Sequence, residues 1–274
     1  MKIALVLPSR ERPDQWLRMV RSALTLAQHP NDISVYTALD VDDPTLDTYL
    51  KYRNGIILLY PNVEIVLFEN GAVRRQMWNN LADQAIVDGA DYVWLGSDDI
   101  IFEAHAHQTG RTREGFMILD QFPPWDYVLT QIDQQLTARH PDRHWIVWGW
   151  DGSCGPKHAT HPFLTKEWVK TLGKTMPDCC EAFDGDTFQT ALAKDTNRGF
   201  YTDHIYTIHH NPKYGNAPYD AVWHNARPAQ KRDYDVWRSE VGQKEYADSL
   251  ETLRSALNEG PSVGQNVAVS TPPA

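Results

Sequence analysis

The chain has 274 residues, 42% of them apolar and 23% charged, enough for one large domain or two small ones with a sizeable core. Its 11% aromatic content, with 10 Trp, excludes a disordered chain, and its longest apolar run, Ile3 to Leu7, falls far short of the ~20 residues that span a bilayer. Lys+Arg 26 against Asp+Glu 36 give a net charge of −10, which argues against a dedicated nucleic-acid binder.

No secretory leader pattern opens the chain. Cys154, Cys179 and Cys180 lack the spacing of a disulfide framework or a structural zinc site and suit a reducing compartment. The expectation is a soluble cytoplasmic protein with no membrane partner.

Ile3 to Leu7 predicts a fully buried strand ending at Pro8-Ser9-Arg10. Asp14 to Gln28 follows as a helix, with Pro13 near its first turn and Trp16, Val20, Ala23 and Ala27 on one face. Ile33 to Leu39 reads as a second buried strand, stopping in the acidic turn Asp40-Val41-Asp42-Asp43-Pro44. A short helix over Asp47 to Tyr52, a strand over Val63 to Phe68 and a helix over Ala72 to Asp88 come next. Tyr92 to Leu95 is a strand that ends at Gly96-Ser97-Asp98-Asp99.

The middle, about Glu103 to His144, shows no regular period and is rich in Trp, Pro, Gln and His. Trp145 to Trp150 reads as a buried strand, Thr165 to Leu172 and Asp186 to Lys194 as helices, and Tyr201 to His209 as a late strand. A helix around Tyr234 to Leu257 closes the fold, and residues 258–274 read as a flexible tail. The alternation predicts βαβ units in an α/β fold with a mainly parallel sheet.

Ligands of such sheets bind beyond the carboxyl ends of the strands. Those ends carry Ser9-Arg10, Asp40-Asp42-Asp43 and Asp98-Asp99. Neither G-x-G-x-x-G nor G-x-x-x-x-G-K-[ST] follows the first strand, so a nucleotide would be held by carboxylates and a cation instead of a glycine nest. Asp98 and Asp99 could hold a hard divalent ion, or Asp98 could cap the next turn while Asp99 is solvated. Asp184 and Asp186 open a helix, where either could be a general base or an N-cap. His209, at a strand end, could complete a metal site or be a structural histidine, and His105, His107, His158 and His161 are equally open. Arg10, Arg74 and Arg75 suit a pyrophosphate, with surface ion pairing as the alternative. Trp125, Trp148, Trp150 and Trp223 could stack on a sugar or base, or fill the core.

Taken in order, LPSRERP (7–13), ALDVDDP (38–44), AVRRQMWNNLADQA (72–85), DYVWLGSDDI (91–100), THPFLTKEWVKTLG (160–173), DGDTFQTALA (184–193) and HHNPKYGNAPYDAVW (209–223) resemble the GT-A class of nucleotide-sugar glycosyltransferases, of the compact phage-encoded type. The resemblance implies one GT-A type domain over 1–257, with a Rossmann-like, mainly parallel sheet flanked by helices. Its nucleotide-sugar half would be 1–100 and its acceptor-side half 101–257. It implies donor contacts from Pro8, Ser9, Arg10, Asp40, Asp42, Arg74, Arg75, Asn79 and Asp98, and a Mn2+ or Mg2+ ion on Asp99 and His209. Asp186 aligns with the acid that deprotonates the acceptor hydroxyl in inverting members, and Asp220 with a recurrent acid of unassigned role. Two departures stand out. Ser97 replaces the first Asp of the DXD region, and Asn211 replaces the second His of H-x-H-P.

The implied function is transfer of a sugar from a nucleoside-diphosphate sugar, UDP-linked by preference, to a hydroxyl acceptor. That acceptor would be a hydroxymethylated pyrimidine in phage DNA, or a protein or glycan of a virion or cell surface. Arg111, Arg113, Arg139 and Arg143 gathered near the cleft would favour DNA. Ser97 motivates the alternative of a non-catalytic nucleotide-sugar-binding module. A sugar nucleotidyltransferase fits less well, because PSRERP is not the glycine-rich basic loop such an enzyme needs.

Overall fold

The computed structural model describes residues 1–69, 73–104, 112–113, 116–117, 123–210, 212, 217 and 219–257. The expected tail 258–274, His105, His107, Arg111 and Asn211 lie outside them, as do the side chains of Arg113 and Trp223.

The strands are β1 (Ile3–Pro8), β2 (Ile33–Asp40), β3 (Val63–Phe68), β4 (Tyr92–Leu95), β5 (Ile100–Phe102), β6 (Thr112–Arg113), β7 (Phe116–Met117), β8 (Ile146–Trp150), β9 (Phe163–Thr165) and β10 (Gly199–His209). The helices are α1 (Pro13–Thr25), α2 (Leu46–Ile56), α3 (Arg74–Val87), α4 (Trp125–Arg139), α5 (Lys166–Leu172), α6 (Gly185–Asp195), α7 (Ala221–Trp237) and α8 (Glu240–Ala256). An 8-stranded sheet runs β3-β2-β1-β4-β9-β8-β10-β5, and β6 and β7 form a separate two-stranded pair. Strands β1 to β4 are mutually parallel, β9 runs against β4 and β8, β10 is parallel to β8, and β5 is antiparallel to β10. The carboxyl ends of β1, β2, β4, β8 and β10 therefore share one edge, where the amino end of β9 also lies.

The apolar run of β1 forms a central strand because both its faces are covered. Ile3, Leu5 and Leu7 pack in one core cluster with Trp16, Met19 and Val20 of α1 and Leu129 and Leu136 of α4. Ala4 and Val6 pack in the other, with Met77 and Leu81 of α3, Trp168 of α5, Phe188 of α6 and Leu253 of α8. Pro13 starts α1 without losing a needed donor, since its ring sits at the first helical position. Helix α5 is capped by the Thr165 hydroxyl, which accepts from the Trp168 amide, and stops at Gly173 with φ 66°. Gly96 follows β4 because a Cβ there would lie 2.0 Å from Trp94 Cζ3.

Several expectations are corrected. Helix α4 occupies the middle region read as irregular, burying Trp125, Val128, Leu129, Ile132 and Leu136. β5 and β9 were not expected, being three-residue strands. The closing helix is two helices, α7 and α8, separated where Ser239 caps α8. Helix α2 extends beyond the short segment expected, to Ile56. The shared sheet edge carries the loops that build the site.

Candidate functional site

From the end of β1, the Ser9 hydroxyl donates to Asp98 Oδ2 at 2.5 Å and contacts Tyr49 Oη at 2.6 Å, while the Arg12 amide donates to Tyr49 Oη at 3.0 Å. Asp98 also receives Arg12 Nη1 at 3.4 Å. Burial, then the neighbouring Asp99, raises the Asp98 pKa against the pull of Arg12, Ser9 and Arg74. Arg12 forks onto Asp220 at 2.9 and 2.7 Å, joining the β1 loop to the start of α7.

Arg10 Nη1 bridges Asp40 Oδ2 (2.7 Å) and Asp42 Oδ1 (2.8 Å). Asp40 Oδ1 is buried with no hydrogen-bond partner. Asp43 ties the loop, accepting from the Thr45 amide and hydroxyl at 2.7 Å each and from the Glu11 amide at 2.9 Å.

Asp99 accepts from the Ser97 hydroxyl and faces His209 Nε2 at 3.4 Å across the edge, while its backbone carbonyl accepts from the His210 amide at 2.8 Å. Burial pushes the Asp99 carboxyl up, but His209 and Ser97 outweigh it and hold the group ionised, well below its ordinary value. His209 moves the other way, raised by Asp99 against its own desolvation. Beside this pair stands His161, its ring 5.1 Å from that of His209 at 75°. Its Nδ1 donates to the Leu95 carbonyl at 3.1 Å, and Nε2 is buried without a hydrogen-bond partner. Burial, then His209, lowers its pKa to about 4, so the ring is neutral.

Asp186, at the start of α6, accepts from the Thr187 amide at 2.8 Å and pairs with His158 Nε2 at 2.9 Å. Its carboxyl stays about a third exposed (33%). Desolvation opposes ionisation, yet the His158 bond leaves its pKa below the ordinary value. Asp184, with φ 62°, accepts from Thr187 Oγ1 at 3.1 Å.

The guanidinium of Arg74 opens α3 and makes no hydrogen bond among the described residues. Burial lowers its pKa most, opposed by Asp98, Asp40 and Asp99. Arg75 turns away to the carbonyls of Asp178 and Cys180. Asn79 is consumed in the same loop, its Oδ1 accepting from the Thr175 amide and hydroxyl (2.8 Å each) and the Met176 amide (2.9 Å). The structure thus brings Ser9, Arg74, Asp98, Asp99 and His209 to the sheet edge, with the Arg10–Asp40–Asp42 cluster beside them, and turns Arg75 and Asn79 toward the 175–180 loop. Trp125 and Trp148 are core, while Trp150 is half-buried. Arg12 and Tyr49 are the side chains that sequence reasoning left without a role, and His161 is one it left open between a metal ligand and a structural histidine.

Among the described residues, no group of three or more His, Cys, Asp or Glu stands ready to hold a metal ion. Asp99 and His209 are nonetheless a donor pair of suitable chemistry: an ionised carboxylate facing an imidazole, with the unpartnered Nε2 of His161 close by.

No protein-family model and no curated protein sequence matches the chain. Solved structures do. S. aureus TarS 1-349 is 13% identical over 94% of this chain and 81% of that one, with a TM-score of 0.51. The same protein in complex with UDP matches at 13% identity, 93% and 81% coverage and a TM-score of 0.51. The mannosyltransferase PcManGT from Pyrobaculum calidifontis, in complex with GDP-Man and Mn2+, matches at 11% identity, 94% and 76% coverage and a TM-score of 0.49. At such identity the likeness is one of fold, so chemistry must come from the site. The chain is a Rossmann-like α/β domain of the GT-A type. The TarS similarities carry that architecture alone and do not extend to the compact phage-encoded type.

Among the described residues, no helix is long and apolar enough to cross a membrane.

Proposed function

We propose that the protein transfers a sugar from a nucleoside-diphosphate sugar to a hydroxyl acceptor, with residues 1–100 supplying most of the donor site. The observation that carries this reading is the convergence of Ser9, Asp98, Asp99, His209 and Arg74, whose guanidinium makes no hydrogen bond among the described residues, at one edge of a GT-A type sheet.

The Arg10–Asp40–Asp42 cluster, with Pro8 at the end of β1, would fix the ribose or base. The TarS structure with UDP shares this fold, which supports UDP as the donor nucleotide. Arg74 supplies donors for the diphosphate. Charge favours a cation as well, because Arg10 and Arg12 are already neutralised by Asp40, Asp42 and Asp220. Asp99 and His209 would hold a divalent ion, which when bound supplies Lewis-acid stabilisation of the leaving diphosphate.

In an inverting transfer the acceptor oxygen bonds to the anomeric carbon as that carbon's bond to the diphosphate oxygen breaks. Asp186 takes the hydroxyl proton, its carboxylate kept ionised and ready to accept by His158. Retention of Asp186 and the Asp99–His209 pair favours an enzyme over a non-catalytic binding module.

Among the described members of the basic set, Arg143 pairs with Asp133 at 2.8 Å, beside Tyr92 at the start of β4, and Arg139 ends α4. Arg143 is thus at the sheet edge opposite the site. This favours a protein or glycan hydroxyl over a DNA base. The test is consumption of UDP-sugars in the presence of Mn2+ or Mg2+. Asp99→Ala should abolish turnover with an unchanged circular dichroism spectrum, and a near-normal rate in that variant would contradict the assignment.

A further inference from the structure

His161 is the buried titratable group that the proposed transfer leaves unused. It belongs to a segment fastened twice to the strand that delivers the carboxylates: the Trp94 indole donates to the His161 carbonyl at 3.0 Å, and the Leu95 amide donates to the Pro162 carbonyl at 3.0 Å. The ring is fixed as well. A carbonyl can only accept, so the bond to Leu95 places the ring hydrogen on Nδ1 and leaves a lone pair on Nε2. That nitrogen is shut from solvent and has no partner, a state that costs free energy unless something fills it. The imidazole meets that of His209 edge-on, ring centroids 5.1 Å apart at 75°, and both Asp99 and Asp186 lie within its electrostatic reach.

We propose that His161 is a third protein ligand of the divalent cation, joining Asp99 and His209 through Nε2. The inference rests on the reading of Asp99 and His209 as the metal pair. A metal-ligating histidine characteristically gives its other ring N–H to a backbone carbonyl, which sets the tautomer and the ring plane. As the side chains stand, Asp99 and His209 engage each other at 3.4 Å and the three groups form no ready metal cluster among the described residues, so holding the ion requires Asp99 and His209 to turn from each other toward the fixed His161 ring. Two imidazoles with one carboxylate also set metal preference. Mg2+ keeps to oxygen ligands, so a site with two imidazole donors disfavours it. His161 also supplies a donor that offsets Ser97, which cannot act as the first carboxylate of a DXD triplet.

The experiment titrates Mn2+ into the full chain, following the electron paramagnetic resonance signal of free Mn2+, alone and with saturating UDP. Wild type is compared with His161→Asn and His161→Gln. Asn keeps an N–H near the position of Nδ1 and removes Nε2, while Gln brings an amide group toward the Nε2 position. His161→Asn should weaken Mn2+ binding at least roughly tenfold, with a melting temperature within a few degrees of wild type. His161→Gln should lose about three- to tenfold, and Mg2+ should compete poorly for the wild-type site. If His161→Asn does not fold, His161→Gln decides: a loss above about threefold supports the third ligand. Wild-type affinity in the folded variants overturns it, as does a wild type that binds no Mn2+ in either condition. UDP titration separates the two failures. UDP and Mn2+ binding unaffected by His161→Asn removes only the third ligand, whereas loss of both in wild type removes the donor-site reading with it.

Discussion

Replacing Arg74 with Gln should separate donor binding from folding. The guanidinium makes no hydrogen bond among the described residues and sits in the field of Asp98, Arg12, Asp40 and Asp99. Removing it breaks no hydrogen bond among the described residues and relieves a partly desolvated charge, so stability should change by less than about 0.5 kcal/mol, or rise. Its hydrogen bonds to a diphosphate would be charge-assisted, worth about 1.5–3 kcal/mol. At about 1.4 kcal/mol per decade, UDP binding should weaken roughly 10- to 150-fold. A full unit-charge contact near 4 Å in an effective dielectric of 20 would give about 4 kcal/mol, so the hydrogen-bond figure is the conservative end. The assay is calorimetric titration of UDP at fixed Mn2+, with scanning calorimetry on the same samples. Arg75→Gln should show the reverse pattern, because Arg75 ties the carbonyls of Asp178 and Cys180: a lower melting temperature and near-normal UDP affinity. UDP affinity within twofold of wild type in Arg74→Gln would refute the reasoning.

Asp186→Asn should lower the transfer rate by about two to four orders of magnitude while UDP affinity changes little, as expected for a missing general base; steady-state rates and titration on one preparation check it. Asp151 is 4% exposed and accepts four hydrogen bonds, from Ser153 N (2.9 Å), Ser153 Oγ (2.8 Å), Cys154 N (2.7 Å) and Thr160 Oγ1 (2.7 Å). Burial opposes ionisation, but these bonds hold its pKa at about 2. A depressed folded pKa stabilises above the unfolded value near 4 and is lost as pH falls through about 2, a span of roughly 2 kcal/mol. Acid denaturation should therefore begin at higher pH in wild type than in Asp151→Asn once the neutral-pH stability difference is subtracted, and matching slopes would contradict this. Gly96→Ala should destabilise by about 1–3 kcal/mol, because its Cβ would meet the buried Trp94 ring at 2.0 Å; thermal unfolding measures it.

β1, β2, β4 and the helices α1 and α3 were legible because burial on both sheet faces leaves continuous apolar runs, and the helices between them carry one apolar face; β3, at the sheet edge, is only partly buried but keeps a mostly apolar run. Helix α4 was hidden by composition, although Trp125, Val128, Leu129, Ile132 and Leu136 keep helical spacing. β5 and β9 are too short to show a period, and their pairing depends on partners distant in sequence. Asp98, Asp99 and His209 could be found because strand ends in an open α/β sheet are where ligands bind. Arg12 could not be distinguished from Arg10, since only the fold brings Asp98 and Asp220 to it. Arg75 and Asn79 share a helix start with Arg74 but face the 175–180 loop, a helical phase that spacing from the strand does not reveal. His161 lay inside a recognised stretch, yet its role depends on a carbonyl that holds Nδ1 and leaves Nε2 alone.

The central claim is a nucleoside diphosphate held at the Asp99–His209 edge with a divalent cation. Calorimetric titration of UDP and of GDP, each with and without Mn2+, into wild type and Asp99→Ala tests it most directly. The account predicts that UDP binds, that binding needs Mn2+, and that Asp99→Ala loses it while remaining folded. Metal-independent binding that survives Asp99→Ala, or no binding of either nucleotide, would contradict it.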